Sequence, residues 1–119
     1  MTEESRRIRR KQEEEEAVFL REKQGLMNQG EALYQQKIET IRALDDLADR
    51  TRYYLQDFVA DRSDLNQAFH MIGSASDEVT MVYRKEEDAL TYQIEELEKK
   101  HRKKQAEYEQ ELLDTRGEQ

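Results

Sequence analysis

The chain has 119 residues, 40% of them charged and 35% hydrophobic, with a net charge of −8 and no proline, cysteine or tryptophan. The missing cysteines exclude disulfides, thiolate metal sites and a cysteine nucleophile, and the acidic balance argues against nucleic-acid binding. No run approaches the ~18 apolar residues of a membrane span, and "MTEESRRIRRKQEEEE" has basic residues with no apolar core behind them, so neither membrane insertion nor a secretory signal peptide is expected.

Usage of about 5% would give a chain this long roughly 6 prolines. Proline removes a helix hydrogen bond and clashes with the preceding turn, so its absence permits very long helices. The composition predicts an all-α fold: an elongated antiparallel helical hairpin, or coiled coil, of two long helices in a single domain over 1–119.

The first helix is expected over about residues 5–70. Its start pairs a basic run, "RRIRRK" (6–11), with an acidic one, "EEEE" (13–16). Apolar residues then recur every seven positions at Leu20, Met27, Tyr34, Ile41, Ala48 and Leu55. Phe19, Leu26, Leu33, Leu47 and Tyr54 stand beside that row, and Ile38, Leu44, Phe58 and Val59 widen it. Residues seven apart lie nearly over one another on a helix, so the row predicts a long amphipathic face of coiled-coil type. Gly25 and Gly30 flank its first part, and each costs a helix about 1 kcal/mol relative to alanine.

Two turns compete. "GSAS" (73–76) is the densest cluster of small residues; Ser74 followed by Asp77 fits a helix cap with an acid behind it, and Ser76 is a second candidate cap. The alternative is "ADRSD" (60–64), where Ser63 or Asp64 could cap. The later turn lays Asp45, Asp46 and Asp49 near "KKHRKK" (99–104); the earlier one brings Arg21 and Lys23 toward those basic residues. Exposed ion pairs are worth only about 0–1 kcal/mol, so charge is a tie-breaker. It favours the turn at Gly73, Ser74 and Ser76. The apolar stretch 17–34 is then expected to overhang, with none of its own chain to cover it.

The second helix is expected over about 77–114. Val79, Val82, Tyr83, Leu90, Ile94, Leu97, Tyr108 and Leu112 form its apolar row, which thins in "EKKHRKKQAE" (98–107). The first helix is equally bare before Phe19, so both ends of the chain are expected to fray or to need a partner. The two basic runs read as a solvated face of mixed charge.

Chemical motifs are sparse. No phosphate-binding glycine loop, nucleophile elbow, zincin or EF-hand pattern occurs. Glu98 and His101 make an E-x-x-H, half of the ligand set of di-iron bundles, but no second copy exists: Gln67 precedes His70 by three. Tyr53, Tyr83 and Tyr92 are each followed at the fourth position by Asp57, Glu87 and Glu96, matching a Y-x-x-x-[DE] export pattern that so acidic a chain produces by chance. A thin hairpin offers few enclosed sites, so no catalytic residue, metal or cofactor is expected, and the chain is not expected to be an enzyme.

"FVADRSDLNQAF" (58–69), followed by "EEDALTYQIEELEKKHRKKQAEYEQ" (86–110), resembles the small α-helical proteins associated with LXG toxins. These are the Lap-type targeting partners of type VIIb secretion in Gram-positive bacteria, and the likeness is to the second of the two Lap families, over roughly residues 10–112. "MIGSASDEV" (71–79) is similar to the W-x-G turn of small secreted hairpins, with Gly73 in the glycine's place and Met71 where the tryptophan stands.

The resemblance implies a cytoplasmic adaptor. It would bind the helical N-terminal domain of an LXG toxin, together with a second small helical partner, and present the toxin to the secretion ATPase; whether it leaves the cell with its client stays open. The F-x-x-x-D export motif of the companion family is missing, since Phe19, Phe58 and Phe69 are followed by Lys23, Arg62 and Gly73. An uncovered apolar helix face is best explained by another helix. Phe19, Leu20, Leu26, Met27, Leu33, Tyr34 and Ile41 are the expected contact residues. Another secretion-linked coiled coil, or a self-associating structural one, is the alternative.

Overall fold

The computed structural model describes residues 2–57 and 62–117. It is all-α, a hairpin of two long helices: α1 runs Glu3–Leu55 and α2 runs Arg62–Gly117. No helix among the described residues is long and apolar enough to cross a membrane.

The helix boundaries follow from local chemistry. Thr2 caps α1: its Oγ1 accepts the backbone N–H of Ser5 at 3.1 Å, satisfying one of the orphan donors of the first turn. Glu3 and Glu4 place negative charge at the positive end of the helix dipole. At the other end, Arg52 lies in the last turn and its carbonyl accepts the N–H of Gln56 at 3.2 Å. Asp64 sits in the first turn of α2 and Arg116 in its last, again matching the dipole. Between these ends Glu, Lys, Gln, Arg, Leu and Ala dominate, all good helix formers. Asp46 and Arg50, four apart with the acid first, pair at 3.1 Å.

The break between the helices therefore falls after Leu55 and before Arg62, which corrects the turn expected at 73–76. Gly73, Ser74 and Ser76 are interior residues of α2. Small residues are compatible with a turn but do not compel one: a lone glycine costs a helix about 1 kcal/mol, and neighbouring turns carry that cost. Ser63 and Asp64 fall within the first turn of α2. Phe58, Val59, Ala60 and Asp61 lie outside the described residues.

The expected single domain is divided into two compact units, one of Met1–Gln29 with Ala89–Gln119, the other of Gly30–Asp88. In unit 1 the two helix segments run antiparallel. Gln12 donates to Glu109 at 2.8 Å, Glu15 meets His101, and Lys23 pairs with Glu98 at 3.4 Å, so rising numbers on α1 meet falling numbers on α2. Ile8, Phe19 and Leu112 are buried, as is Thr115, whose Oγ1 donates to the Glu111 carbonyl. Residues 3–18 and 98–117, which the sequence led us to expect frayed, are helical among the described residues, with Ile8 and Leu112 buried. The 17–34 overhang is also absent in this unit, because the earlier break gives α1 a return arm long enough to cover Phe19.

Unit 2 is antiparallel by the same test: Lys37 pairs with Glu87 at 3.3 Å, the hydroxyls of Thr40 and Tyr83 lie 3.4 Å apart, and the Arg52 guanidinium stands 5.3 Å from the centre of the Phe69 ring. Leu33, Ile41, Leu44, Leu55, Phe69, Ile72, Val79 and Tyr83 are half-buried. No described residue of this unit is buried.

Candidate functional site

The residues expected to contact a partner divide into covered and exposed sets. Phe19 is 8% exposed, and Leu26 beside it is half-buried. Leu20 and Met27 in the same unit are 54% and 51% exposed. In unit 2, Tyr34 is 52% exposed while Leu33 and Ile41 are half-buried. A strict seven-residue row drifts about 20° per step on a helix of 3.6 residues per turn. Five steps from Leu20 to Leu55 therefore carry the row about 100° round α1, from the open face to the covered one, and Ile41, Ala48 and Leu55 are all half-buried.

Grooves run beside the covered rows. In unit 1 Gly25, Leu26 and Gln29 of α1 and Tyr92, Gln93 and Leu97 of α2 line one of about 420 Å³. A Cβ added at Gly25 would meet nothing within 4 Å, so the backbone there is open to close approach. In unit 2 a groove of about 440 Å³ is lined by Gln36 and Thr40 of α1 and by Ala75, Val79, Val82 and Tyr83 of α2. Gly73 and Ser74 are exposed on α2, and the Ser76 carbonyl accepts the Thr80 hydroxyl at 3.0 Å.

A feature that the sequence reading missed lies where "EEEE" meets "KKHRKK". The imidazole of His101 stacks on Phe19, with centroids 3.9 Å apart and planes 4° from parallel. Its Nδ1 lies 2.8 Å from Glu15 Oε2 and its Nε2 lies 2.8 Å from Glu16 Oε2. Gln105 donates to the same Glu15 oxygen at 2.6 Å. Burial pushes the Glu15 carboxyl up, but the hydrogen bonds from His101 and Gln105, with the charges of His101 and Lys104, hold it below its ordinary value. Glu98, the other half of the E-x-x-H, turns to Lys23 instead.

Glu15, Glu16 and His101 bring one potential ligand atom each to within 4.8 Å of one another. The two carboxylates, however, occupy different nitrogens of one ring. An ion takes a single ring nitrogen, so this trio has the form of a hydrogen-bonded clasp and not of a ligand set.

Comparison with protein-family models, with curated proteins and with solved structures finds no match for the chain. The functional reading accordingly rests on the helices and their surfaces.

Proposed function

We propose that the chain is a non-enzymatic helical adaptor, which binds the N-terminal helical domain of an LXG toxin and helps present it to type VIIb secretion machinery. The observation that carries this reading is the incomplete seam of unit 2. Its large apolar residues reach half-burial at most, and no described residue of the unit is buried. Two helices enclose a seam on two sides only, and apolar surface left in water forgoes about 25 cal/mol per Å². A third helix laid in the Ala75–Val79–Tyr83 groove would complete the enclosure. Exposed Tyr34 in the same unit, and exposed Leu20 and Met27 in unit 1, supply the large side chains that dominate helix recognition. The resemblance of 58–69 and 86–110 to Lap-type targeting proteins supplies the class of client.

The test is co-expression with an LXG toxin N-terminal domain, followed by capture on the tagged client. V79E and Y34E in unit 2, and M27E in unit 1, are expected to abolish capture while circular dichroism stays helical. Light scattering of the isolated chain separates the competing reading. A stable dimer or tetramer that takes up no client would replace the adaptor with a self-associating coiled coil.

A further inference from the structure

We propose that the open groove of unit 1 is where two copies of the chain meet, face to face about a two-fold axis along the helices, to form a reversible four-helix dimer. The groove is continuous. One part of about 450 Å³ and a second of about 420 Å³ around Gly25 share Glu22, Leu97 and Lys100 as walls. Val18 in the first is 44% exposed and Tyr92 in the second is 63% exposed, so the chain itself leaves both largely uncovered.

Charge names the occupant. Glu14 and Glu22 stand along the α1 wall, Lys100 and Lys104 along the α2 wall, and all four are exposed. None of the four forms an ion pair among the described residues, although Lys104 adds its charge to the surroundings of Glu15. Walls of opposite sign are matched at once by a second copy of the same face, as a two-fold contact requires. The register shows how. Lys23 meets Glu98 and Phe19 stacks on His101, so Glu22, between them, lies level with Lys100. Gln105 meets Glu15, which puts Glu14 near the level of Lys104. A half-turn about the length of the groove carries α2 of one copy over α1 of the other at the same level. Glu22 then faces Lys100 of the second copy and Glu14 approaches its Lys104, and symmetry makes each pair twice. The remaining charges fit the same arrangement. Glu96 is held by Lys99 of its own helix at 3.8 Å. Lys11 is level with Tyr108, because Gln12 meets Glu109, and comes over that ring of the second copy.

Gly25 permits the close approach. Nothing in the chain itself calls for glycine there: its φ is not positive, and an added Cβ would meet nothing within 4 Å. Glycine weakens a helix relative to alanine, and this one lines the groove where the second copy's α2 would lie. From Lys11 to Gln29 the groove is about 27 Å long and two helices side by side are about 20 Å across, so each copy covers about 500 Å². A total of about 1,000 Å² is the lower end for a specific contact, which implies dissociation in the micromolar range or weaker. The contact uses unit 1 alone and stands apart from the client reading, whose groove is in unit 2.

Sedimentation equilibrium of the full chain from about 1 μM to about 1 mM tests the dimer, and the mass is expected to double across that range. Glu22→Lys and Lys100→Glu each reverse two symmetric pairs, so each is expected to weaken association about tenfold or more. The double variant is expected to return it to within about threefold of wild type. Gly25→Met fills the groove without touching its own chain, and is expected to weaken the dimer at least about tenfold while the helical melt of the monomer does not fall. A chain that stays single up to about 1 mM, a double variant as weak as its parents, or a dimer indifferent to Gly25→Met would each overturn the proposal. Loss of client capture by Gly25→Met in a chain that never dimerises would give the groove to the client instead.

Discussion

The imidazole of His101 lies flat on the ring of Phe19, 3.9 Å between centroids, and joins the best-covered aromatic of α1 to the most basic stretch of α2. Phe19 is thereby the anchor of unit 1, with Leu20 beside it left in solvent. Phe19→Ala removes a buried ring, a change that costs about 3–5 kcal/mol in a full core. A pair of helices relaxes and admits water more readily than a core, so the expected loss is at the low end, about 3 kcal/mol. Leu20→Ala, one residue on, is expected to change stability by no more than about 0.5 kcal/mol. Urea unfolding of both variants checks the contrast, and equal losses would show that Phe19 is not the covered residue.

Glu15 governs the acid side of stability. Its carboxyl is held below its ordinary value in the folded chain against the pull of burial, by the bonds from His101 and Gln105 and by nearby positive charge. Its contribution is therefore present above the unfolded carboxylate range and disappears as pH falls through the folded value. Glu15→Gln is expected to cost about 1–2 kcal/mol near neutral-to-mildly-acidic pH, as a charge-assisted bond is lost. It is also expected to flatten the decline toward low pH. Thermal melts across that range read both effects, and an acid limb as steep in Glu15→Gln as in wild type would assign it to other carboxylates.

Much of this architecture was legible from residue chemistry alone. The absence of proline and the recurring apolar positions pointed to two long helices, and two long helices are present. The turn was misplaced because the small-residue cluster at Gly73–Ser76 and a charge tie-breaker outweighed the alternative at 60–64, which lies next to the break between Leu55 and Arg62, a segment with neither glycine nor proline. That choice propagated. The later turn assigned the 99–104 basic run to Asp45, Asp46 and Asp49, so the meeting of His101 with Glu15 and Glu16 was invisible although both runs had been noted. The seven-residue row had a separate limit. Leu20, Met27 and Ile41 share a row in the sequence, but helix drift puts the first two outward and Ile41 inward.

Lys23 and Glu98 offer a measure of how little the charged exterior contributes. Both side chains are about a third exposed and their charged atoms are 3.4 Å apart. Partly hydrated pairs of this kind give coupling energies of about 0.2–1 kcal/mol. A double-mutant cycle on Lys23→Ala and Glu98→Ala is expected to fall in that range and to shrink toward zero near about 1 M salt. Coupling well above it, insensitive to salt, would mean that the pair is shielded from water by something the isolated hairpin does not contain.

Gly73→Ala decides between the two turns by the sign of a single number. At an interior position of α2 the backbone has no positive φ, and an added Cβ meets nothing within 4 Å. Alanine there restricts the unfolded chain and fits the helix without a clash, so the variant is expected to be more stable by about 1 kcal/mol. Were residues 73–76 a turn closing the hairpin, the glycine would instead supply a conformation that a side chain resists, and the same substitution would destabilise. Chemical unfolding of Gly73→Ala reads the sign directly. A loss of stability would move the break back to Gly73, uncover residues 17–34 and restore an overhanging apolar helix as the client surface.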